Sequence, residues 1–241
     1  MLKKICDPAW EQPLYVTDQV EVYIDLHRKG FYVLPCLCED NRNESFPGAL
    51  YAVEKLEELD FASLDRIYRR LAGLPWKILE TERLLVRETV VEDADRFYRI
   101  YEEPSVTAYM EALCEDKDEE IACIESYIEK VYAFYGYGMW TVLEKASGEV
   151  IGRAGISWRE GYDLPELGFV IGVPWQGQGY ALEVCEGILE YARETLEMEE
   201  IQALVRPGNE RSVRLCGKLG LAPDGETLVE GVRHLVFKKK L

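Results

Sequence analysis

The stretch ELGFVIGVPWQGQGYA at residues 166–181 limits the possible folds more than any other part of the chain. An apolar run typical of a β-strand ends at Pro174, a turn with two glycines follows over 176–179, and a helical pattern begins at Tyr180. Glycine lets the backbone approach a ligand closely, and free N–H groups in the first turn of a helix attract anions. The stretch predicts a phosphate-binding loop between a strand and a helix, although two glycines can also mark an ordinary turn.

The spacing of this loop argues against two common nucleotide-binding motifs. It lacks the Gly-Lys-Ser/Thr ending of a P-loop, and it lacks the three glycines of a dinucleotide-binding fingerprint. The formal net charge of −17 also argues against nonspecific binding to nucleic acid, which requires basic patches. The charge is compatible with a cationic or amine substrate, and equally with an acidic surface that only keeps the protein soluble.

Composition indicates a folded protein without a membrane-spanning segment. Hydrophobic residues make up 48% of the 241 positions, yet no run approaches the roughly 20 apolar residues of a membrane span. Seven irregularly spaced cysteines favour free thiols in the cytoplasm over a disulfide framework. Cys36 and Cys38 form a C-x-C without a second pair, so we interpret them as strand residues and expect no metal site.

The first 77 residues are predicted to form a small α/β unit. Strand patterns cover 13–18, 31–38 and 49–54, and helical patterns cover 19–29 and 56–71. This order predicts three short parallel strands with two helices. Residues 71–84 carry the boundary, so the predicted domains are 1–77, of unknown role, and 78–241.

The second part has the predicted order β-α-α-β-β-β-α-β-α-β-β. Strands are expected at 81–89, in a hairpin over 138–160, from residue 166, at 200–207 and at the C-terminus. Helices are expected at 90–103, at 118–135, after the glycine loop and at 209–220. The loop sequence Gln-x-x-Gly-x-Ala at 176–181 follows the fourth of these strands. The block from Asn209 to Leu221 reads Asn-x-x-Ser followed by Lys-Leu-Gly-Leu.

This order, the ERLLVRE strand and these two motifs resemble the GNAT superfamily of N-acetyltransferases, in particular its ribosomal-protein N-acetyltransferase branch. The resemblance covers residue 80 to the C-terminus. It implies an α/β fold with a mixed sheet, the GNAT acyl-CoA N-acyltransferase fold, here preceded by a small three-stranded α/β domain. Residues 1–77 resemble N-terminal extensions of some bacterial GNAT proteins.

The resemblance implies acetyl-CoA as cofactor and places it largely on backbone groups. Its pyrophosphate would bind N–H groups of the loop residues Gln176, Gly177, Gln178, Gly179, Tyr180 and Ala181. Its pantetheine arm would lie along the strand edge, beside the backbone of Ile171 and Val173. Asn209 and Ser212 match positions beside the cofactor, and Asn209 is also a favoured helix cap, two roles that are compatible.

The resemblance also suggests the catalytic residues. Glu166 opens the strand that carries the thioester, so it is the candidate general base, with an ordinary strand-end carboxylate as the alternative. Cys216 stands where many members carry a tyrosine acid. Either its thiol protonates the leaving thiolate or it packs as a small apolar residue, which we favour. An acetyl-cysteine intermediate is less consistent with direct attack, the family norm.

The acceptor is expected between the two early helices and the terminal strands. An acidic cluster there is ordinarily a solvated face, or it attracts a cationic substrate: Glu111, Glu115, Asp116, Asp118, Glu119 and Glu120. Five aromatic residues are candidates for the pocket wall or for the core: Tyr109, Phe134, Tyr135, Tyr137 and Trp140.

Two hypotheses about function follow. In the leading one, the chain is a cytoplasmic N-acetyltransferase, monomeric or homodimeric, without nucleic-acid or membrane partners. It moves an acetyl group from acetyl-CoA to a primary amine, on a protein N-terminus or a small cationic molecule, by direct attack. In the alternative, the chain senses acyl-CoA without turnover and residues 1–77 bind a partner.

Overall fold

The computed structural model covers residues 1–241 and divides into two compact units, Met1–Trp76 and Lys77–Leu241. No helix in it combines the length and the apolar character that crossing a membrane requires. All seven cysteines are free thiols.

The first unit contains a three-stranded sheet and two helices. Its elements are β1 (Leu2–Ile5), β2 (Leu14–Thr17), α1 (Val20–Arg28), β3 (Tyr32–Pro35) and α2 (Phe61–Leu71). Strand β2 is central, antiparallel to β1 and parallel to β3. The core includes Trp10, which stacks on Tyr68 with 4.3 Å between ring centroids.

Two predictions for the first unit are wrong in detail. The expected strand at 49–54 forms only one bridge, between Val53 and Cys36, because the chain turns into a 3-10 helix at Leu56–Glu58. The missed strand β1 is exposed and rich in lysine, so it lacks the apolar alternation that identifies a strand. The sheet is therefore mixed rather than parallel. Helix α2 begins at Phe61 because Asp60 caps it, accepting from the Ser63 amide at 2.8 Å.

The second unit is an eight-stranded sheet with six helices. Its elements are β4 (Lys77–Glu80), β5 (Leu84–Arg87), α3 (Ala94–Tyr101), α4 (Pro104–Thr107), α5 (Lys117–Tyr127), α6 (Ala133–Tyr135), β6 (Met139–Glu144), β7 (Val150–Ser157), β8 (Glu166–Ile171), α7 (Tyr180–Glu194), β9 (Glu200–Val205), α8 (Glu210–Lys218), β10 (Ala222–Val229) and β11 (Val232–Lys240). The strand order is β10-β11-β9-β8-β7-β6-β5-β4, and only the pair β8–β9 is parallel. The predicted α/β fold with a mixed sheet is confirmed, with β4 and α4 as additions.

The predicted continuous helix at 118–135 is interrupted by a π-helical turn at Ile128–Tyr132. The turn lets two side chains five residues apart reach the same backbone: the Tyr127 hydroxyl accepts from the Met139 amide at 2.8 Å, and the Tyr132 hydroxyl donates to the Met139 carbonyl. In a regular α-helix, side chains at this spacing would point in clearly different directions. Gly136, at φ +72°, then ends the helix.

Candidate active site

The loop between β8 and α7 presents a row of unpaired backbone N–H groups. The amides of residues 177–182 donate to no acceptor within the chain, and α7 begins without a side-chain cap. Gly177 and Gly179 have φ values of +77° and +88°, a left-handed conformation that favours glycine. Because unpaired N–H groups at a helix N-terminus carry partial positive charge, the loop fits a phosphate or pyrophosphate group.

Side chains hold this loop in place. Gln178 donates its side-chain amide to the Pro174 carbonyl at 2.8 Å, and its own carbonyl accepts from Nη1 of Arg83 at 3.0 Å. The Gln178 side chain is consequently turned away from the cleft described below, which leaves its backbone as the part available to a ligand. The sequence does not single out Arg83, because a contact between residues so distant in the chain leaves no local pattern.

The edge of β8 that faces β9 is open. The two strands share one registered pair, Glu166 with Gln202, at the start of β8. The Gly172 amide donates to the Ile151 carbonyl of β7 at 2.8 Å. Because successive residues of a strand direct their N–H and carbonyl groups to opposite edges, those of Ile171 face the open edge. An extended pantetheine arm fits such a gap as a pseudo-strand.

Gln176 spans this gap with its side chain. Its Nε2 donates to the Ile171 carbonyl at 2.8 Å, and its Oε1 accepts from Nη1 of Arg211, at the start of α8, at 2.5 Å. A pantetheine arm that used the Ile171 carbonyl would therefore share it with Gln176. Val173 lies in the 3-10 turn Val173–Trp175 beyond the end of β8, and its carbonyl accepts from the Gln176 amide at 3.1 Å.

Helix α8 forms the opposite wall of the gap. Asn209 caps this helix, because its Oδ1 accepts from the Ser212 amide at 3.2 Å. Both residues also border the cleft, so the capping contact leaves them positioned beside a ligand.

Glu166 is a buried carboxylate at the start of β8, 9% exposed. Its Oε2 accepts from Nε of Arg159 at 2.9 Å, in an ion pair that balances its charge. This contact fixes one carboxylate oxygen and leaves the other without a partner in the chain. No local sequence pattern singles out Arg159, which lies in the loop between β7 and β8.

Cys216 lies on α8 with a side chain that is 2% exposed. Burial raises the pKa of its thiol to about 11, so the thiol is protonated at neutral pH. Cys185 on α7 is fully buried, and burial raises the pKa of its thiol as well. Only Cys216 of these two borders the cleft.

These groups line one cleft of about 1850 Å³. All predicted site residues except Gln178 contribute to its wall: Glu166, Ile171, Val173, Gln176, Gly177, Gly179, Tyr180, Ala181, Asn209, Ser212 and Cys216. Pockets for one small molecule measure about 300–1,000 Å³, so this cleft has room for a cofactor and an acceptor together.

The other half of the cleft is bounded by residues 108–114, between α4 and α5. Of the acidic cluster, only Glu111 and Glu120 line it, and Asp116 instead caps α5 by accepting from the Asp118 amide at 2.7 Å. Most of the cluster is thus a solvated face rather than a pocket wall.

Among the five aromatic candidates, only Tyr109 lines the cleft. Trp140 is fully buried in the core, whereas Phe134 is 80% exposed outside the cleft. Tyr101 and Arg153 do line the cleft, although no sequence motif identifies them.

Comparison with known proteins identifies the family. The family profile described as an acetyltransferase (GNAT) domain matches residues 83–222. The chain therefore belongs to the GNAT acetyltransferases, as predicted.

Several relatives are named as N-acetyltransferases. The chain is 30% identical over 164 residues to the [ribosomal protein uS5]-alanine N-acetyltransferase of Escherichia coli, covering 64% of this chain and 82% of that enzyme. It is 27% identical over 148 residues to the uncharacterised N-acetyltransferase p20 of Bacillus licheniformis, covering 61% of this chain and 83% of that protein.

Solved structures share the fold. An acetyltransferase from Agrobacterium tumefaciens matches with a TM-score of 0.57 at 24% identity, covering 67% of this chain and 92% of that one. A ribosomal L7/L12 alpha-N-protein acetyltransferase in complex with coenzyme A matches with a TM-score of 0.58 at 12% identity, covering 69% and 98%.

The protein is an acetyl-CoA-dependent acyltransferase of the GNAT family. The free amides of the loop and the open edge of β8 fit the cofactor that this family uses. These findings confirm the predicted enzyme class and cofactor, and they do not favour the alternative of a sensor without turnover.

Proposed function

We propose that the enzyme transfers the acetyl group of acetyl-CoA to a primary amine, on a protein N-terminus or on a small molecule. The observation that carries this proposal is the single cleft in which the free loop amides, the open edge of β8 and the carboxylate of Glu166 meet. A reaction between two substrates requires that the groups binding each of them face one space.

The chain contributes three actions to this reaction. Acetyl-CoA, when bound, supplies an acetyl thioester as the electrophile. The amides of residues 177–182 bind its pyrophosphate, and the edge of β8 orients the reacting end. Glu166 accepts a proton from the acceptor ammonium through the oxygen that Arg159 leaves free, so the neutral amine can attack directly.

Cys216 is the candidate source of a proton for the departing thiolate. Its buried thiol is protonated at neutral pH, as an acid must be, yet a thiol with a pKa of about 11 is a weak acid. We therefore propose that packing against α7 is its main role and that proton donation contributes little.

The proposal also covers the catalytic domain, the cellular location, the oligomeric state and the acceptor. The residues of the cleft all lie between Tyr101 and His234, so we propose that the domain 78–241 carries the whole catalytic function. We propose a monomer or homodimer in the cytoplasm, a location that matches the free thiols. A protein N-terminus as acceptor is supported by the E. coli relative, whose name specifies a ribosomal-protein alanine.

Release of the coenzyme A thiol across a panel of amines tests the proposed function. The panel should include N-terminal peptides that begin with alanine, polyamines, amino acids and aminoglycosides. We expect thiol release with at least one class, at a rate above the hydrolysis of acetyl-CoA alone. Binding of acetyl-CoA without amine-dependent thiol release from any of them would contradict the proposal.

The Glu166→Gln variant tests the general base. Loss of a general base lowers turnover by about 100- to 10,000-fold, and we expect kcat to fall within this range while the Kd of acetyl-CoA barely changes. Glu160→Gln is the matched control, because Glu160 is an exposed carboxylate in the same loop as Arg159 and lies outside the cleft. Equal turnover of the two variants from pH 6 to 9 would exclude Glu166 as the base.

A further inference from the structure

Arg153 is a partly buried cation in the cleft that forms no ion pair. It lies on β7, where its neighbours in register are Thr141 of β6 and Val170 of β8. Its guanidinium carbon is 4.7 Å from the ring centroid of Phe97, and its Nε is buried without a hydrogen-bond partner. In contrast, Arg159 in the same cleft pairs with Glu166.

The groups around Arg153 do not balance its charge. The Tyr101 hydroxyl lies beside it, and burial raises the pKa of this hydroxyl by more than the charge of the guanidinium and a hydrogen bond from it lower it, so Tyr101 is neutral and supplies no counter-charge. Burial likewise raises the pKa of Tyr127 despite the influence of Arg153. Glu120 is buried in the same half of the cleft, but its Oε2 accepts from the Cys114 amide at 3.1 Å and forms no ion pair with Arg153.

An unpaired charge in such a position is unusual. Removing a cation from water is unfavourable unless a counter-charge or hydrogen bonds compensate it, and arginines are almost never fully buried unless they are paired. The chain has 45 acidic residues against 28 basic ones, so the protein has enough carboxylates to pair with its other cations. Arg153 has a neutral tyrosine and an aromatic ring as neighbours but no carboxylate, so a guanidinium that borders a substrate cleft in this way is suited to an anionic partner on the substrate.

We propose that Arg153 binds a carboxylate of the acceptor, so that the preferred acceptors are amines that also carry a carboxylate. Free amino acids and peptides with an acidic residue near the N-terminus share this chemistry, whereas polyamines and aminoglycosides lack it. The planar guanidinium matches a carboxylate with two parallel hydrogen bonds, which a point charge cannot do. This inference rests on the proposed function, because it assumes that the acceptor enters this half of the cleft.

Binding of reaction products tests the proposal without depending on turnover. The full chain, saturated with coenzyme A, is titrated calorimetrically with N-acetyl-L-alanine and with N-acetyl-L-alaninamide, and likewise with the methionine and phenylalanine pairs. We expect the carboxylate of at least one pair to bind at least about tenfold more tightly than its amide. Equal binding of acid and amide in all three pairs, and in the peptide pair below, would overturn the proposal.

Variants assign the preference to this residue. Arg153→Met should reduce the ratio of acid to amide binding to near one, and Arg153→Lys should retain part of it, because lysine keeps the charge but not the planar fork. Arg99→Met, which removes an exposed arginine on α3, should leave the ratio unchanged. If circular dichroism shows that Arg153→Met does not fold, the test relies on Arg153→Lys. A ratio of acid to amide binding in Arg153→Lys identical to that of the wild type would then overturn the proposal.

Kinetics separate this inference from the proposed function. The kcat/KM values for L-alanine and L-alaninamide, and for the peptide amides Ala-Asp-Ala and Ala-Asn-Ala, distinguish a free amino acid from an acidic peptide. Their N-acetylated forms enter the same calorimetric comparison as the other pairs. Carboxylate-dependent binding with no thiol release from any amine would contradict the proposed function but support the role of Arg153. Thiol release that favours the amide in both pairs would overturn the role of Arg153 alone.

Discussion

The guanidinium of Arg83 stacks on the ring of Tyr180, with 4.3 Å between the guanidinium carbon and the ring centroid. The same guanidinium donates to the Gln178 carbonyl and pairs with Glu183, and the Tyr180 hydroxyl donates to Glu144. The loop and the first turn of α7 are thereby fixed from the side of β5 and β6, while their amides stay free. A loop held in its binding conformation loses little entropy when an anion binds.

Replacing Arg83 should weaken cofactor binding, although Arg83 itself does not line the cleft. Arg83→Met removes the hydrogen bond to Gln178, the stacking on Tyr180 and the ion pair with Glu183, so we expect the Kd of acetyl-CoA to rise by roughly tenfold or more, as expected for the loss of several modest interactions. Isothermal titration calorimetry measures this change. Arg193→Met, at an exposed arginine near the end of α7, is the control, and an equal Kd for both variants would contradict the role of Arg83.

The contacts of Glu183 predict an acid-dependent stability. Burial alone would raise the pKa of Glu183, but hydrogen bonds from Thr81 and Arg83 outweigh it and hold the pKa below its ordinary value of 4.5. The unfolded chain therefore binds more protons in acid than the folded one. The stabilisation from Glu183 is fully present above pH 4.5 and is lost as the pH falls through the folded-state pKa.

We expect the Tm of Glu183→Gln to lie below that of the wild type at pH 7 and to depend less on pH below 4.5. Thermal unfolding from pH 3 to pH 7 gives both quantities. Glu186→Gln, at an exposed position of the same helix, should follow the wild-type profile. Parallel profiles for wild type and Glu183→Gln would show that Glu183 titrates alike in the folded and unfolded states.

Gly179 allows a test of the loop with a conformationally matched control. Gly179→Arg places a long, charged side chain at the start of α7, with its Cβ 3.4 Å from Nη2 of Arg83, and forces a non-glycine residue into φ +88°. Gly148→Arg imposes a similar strain at φ +71° in the hairpin turn between β6 and β7, where no neighbour lies close. The backbone strain is about 1–2 kcal/mol in either variant.

We expect Gly179→Arg to lose measurable acetyl-CoA binding and Gly148→Arg to bind as the wild type does. Calorimetry on variants that circular dichroism shows to be folded distinguishes loss of the site from loss of the fold. If Gly179→Arg bound acetyl-CoA with wild-type affinity, the loop would not be part of the cofactor site.

The sequence predicts those parts of the site that depend on local conformation. The loop at 176–181 and the Asn209 cap are recognisable because each requires particular residues at adjacent positions. Arg83, Arg153 and Arg159 are not recognisable, because their roles depend on strand register and on partners that the fold brings together. Arg153 faces the cleft only because β7 pairs with β6 and β8 in the observed register.

The same distinction explains the errors in the fold. The order of elements in the second unit follows from apolar periodicity, which is local. The π-helical turn at Ile128–Tyr132 depends on two tyrosines that share Met139, a contact that periodicity does not encode. The single bridge at Val53 likewise depends on where the chain turns, which the apolar pattern of 49–54 does not reveal.

Cys216 offers a comparison between two buried thiols, only one of which borders the cleft. Burial raises the pKa of Cys216 to about 11, so the thiol is a poor proton donor compared with water-accessible acids of lower pKa. We expect Cys216→Ala to lower kcat less than about tenfold, well below the 100- to 10,000-fold that removal of an effective acid or base produces. Cys185→Ala, which changes a thiol on α7 outside the cleft, should have a similarly small effect.

The pH dependence separates packing from catalysis at Cys216. A pKa raised in the folded state stabilises the protein below the thiol's ordinary value of 9.0 and loses this effect as the pH rises toward 11. We therefore expect the Tm of the wild type to fall more steeply than that of Cys216→Ala between pH 9 and 11, while both keep the same pH–rate profile from pH 6 to 9. A loss of turnover above about 100-fold in folded Cys216→Ala, absent in Cys185→Ala, would identify Cys216 as the acid instead, because losses of that size characterise removal of a group that transfers a proton in the transition state.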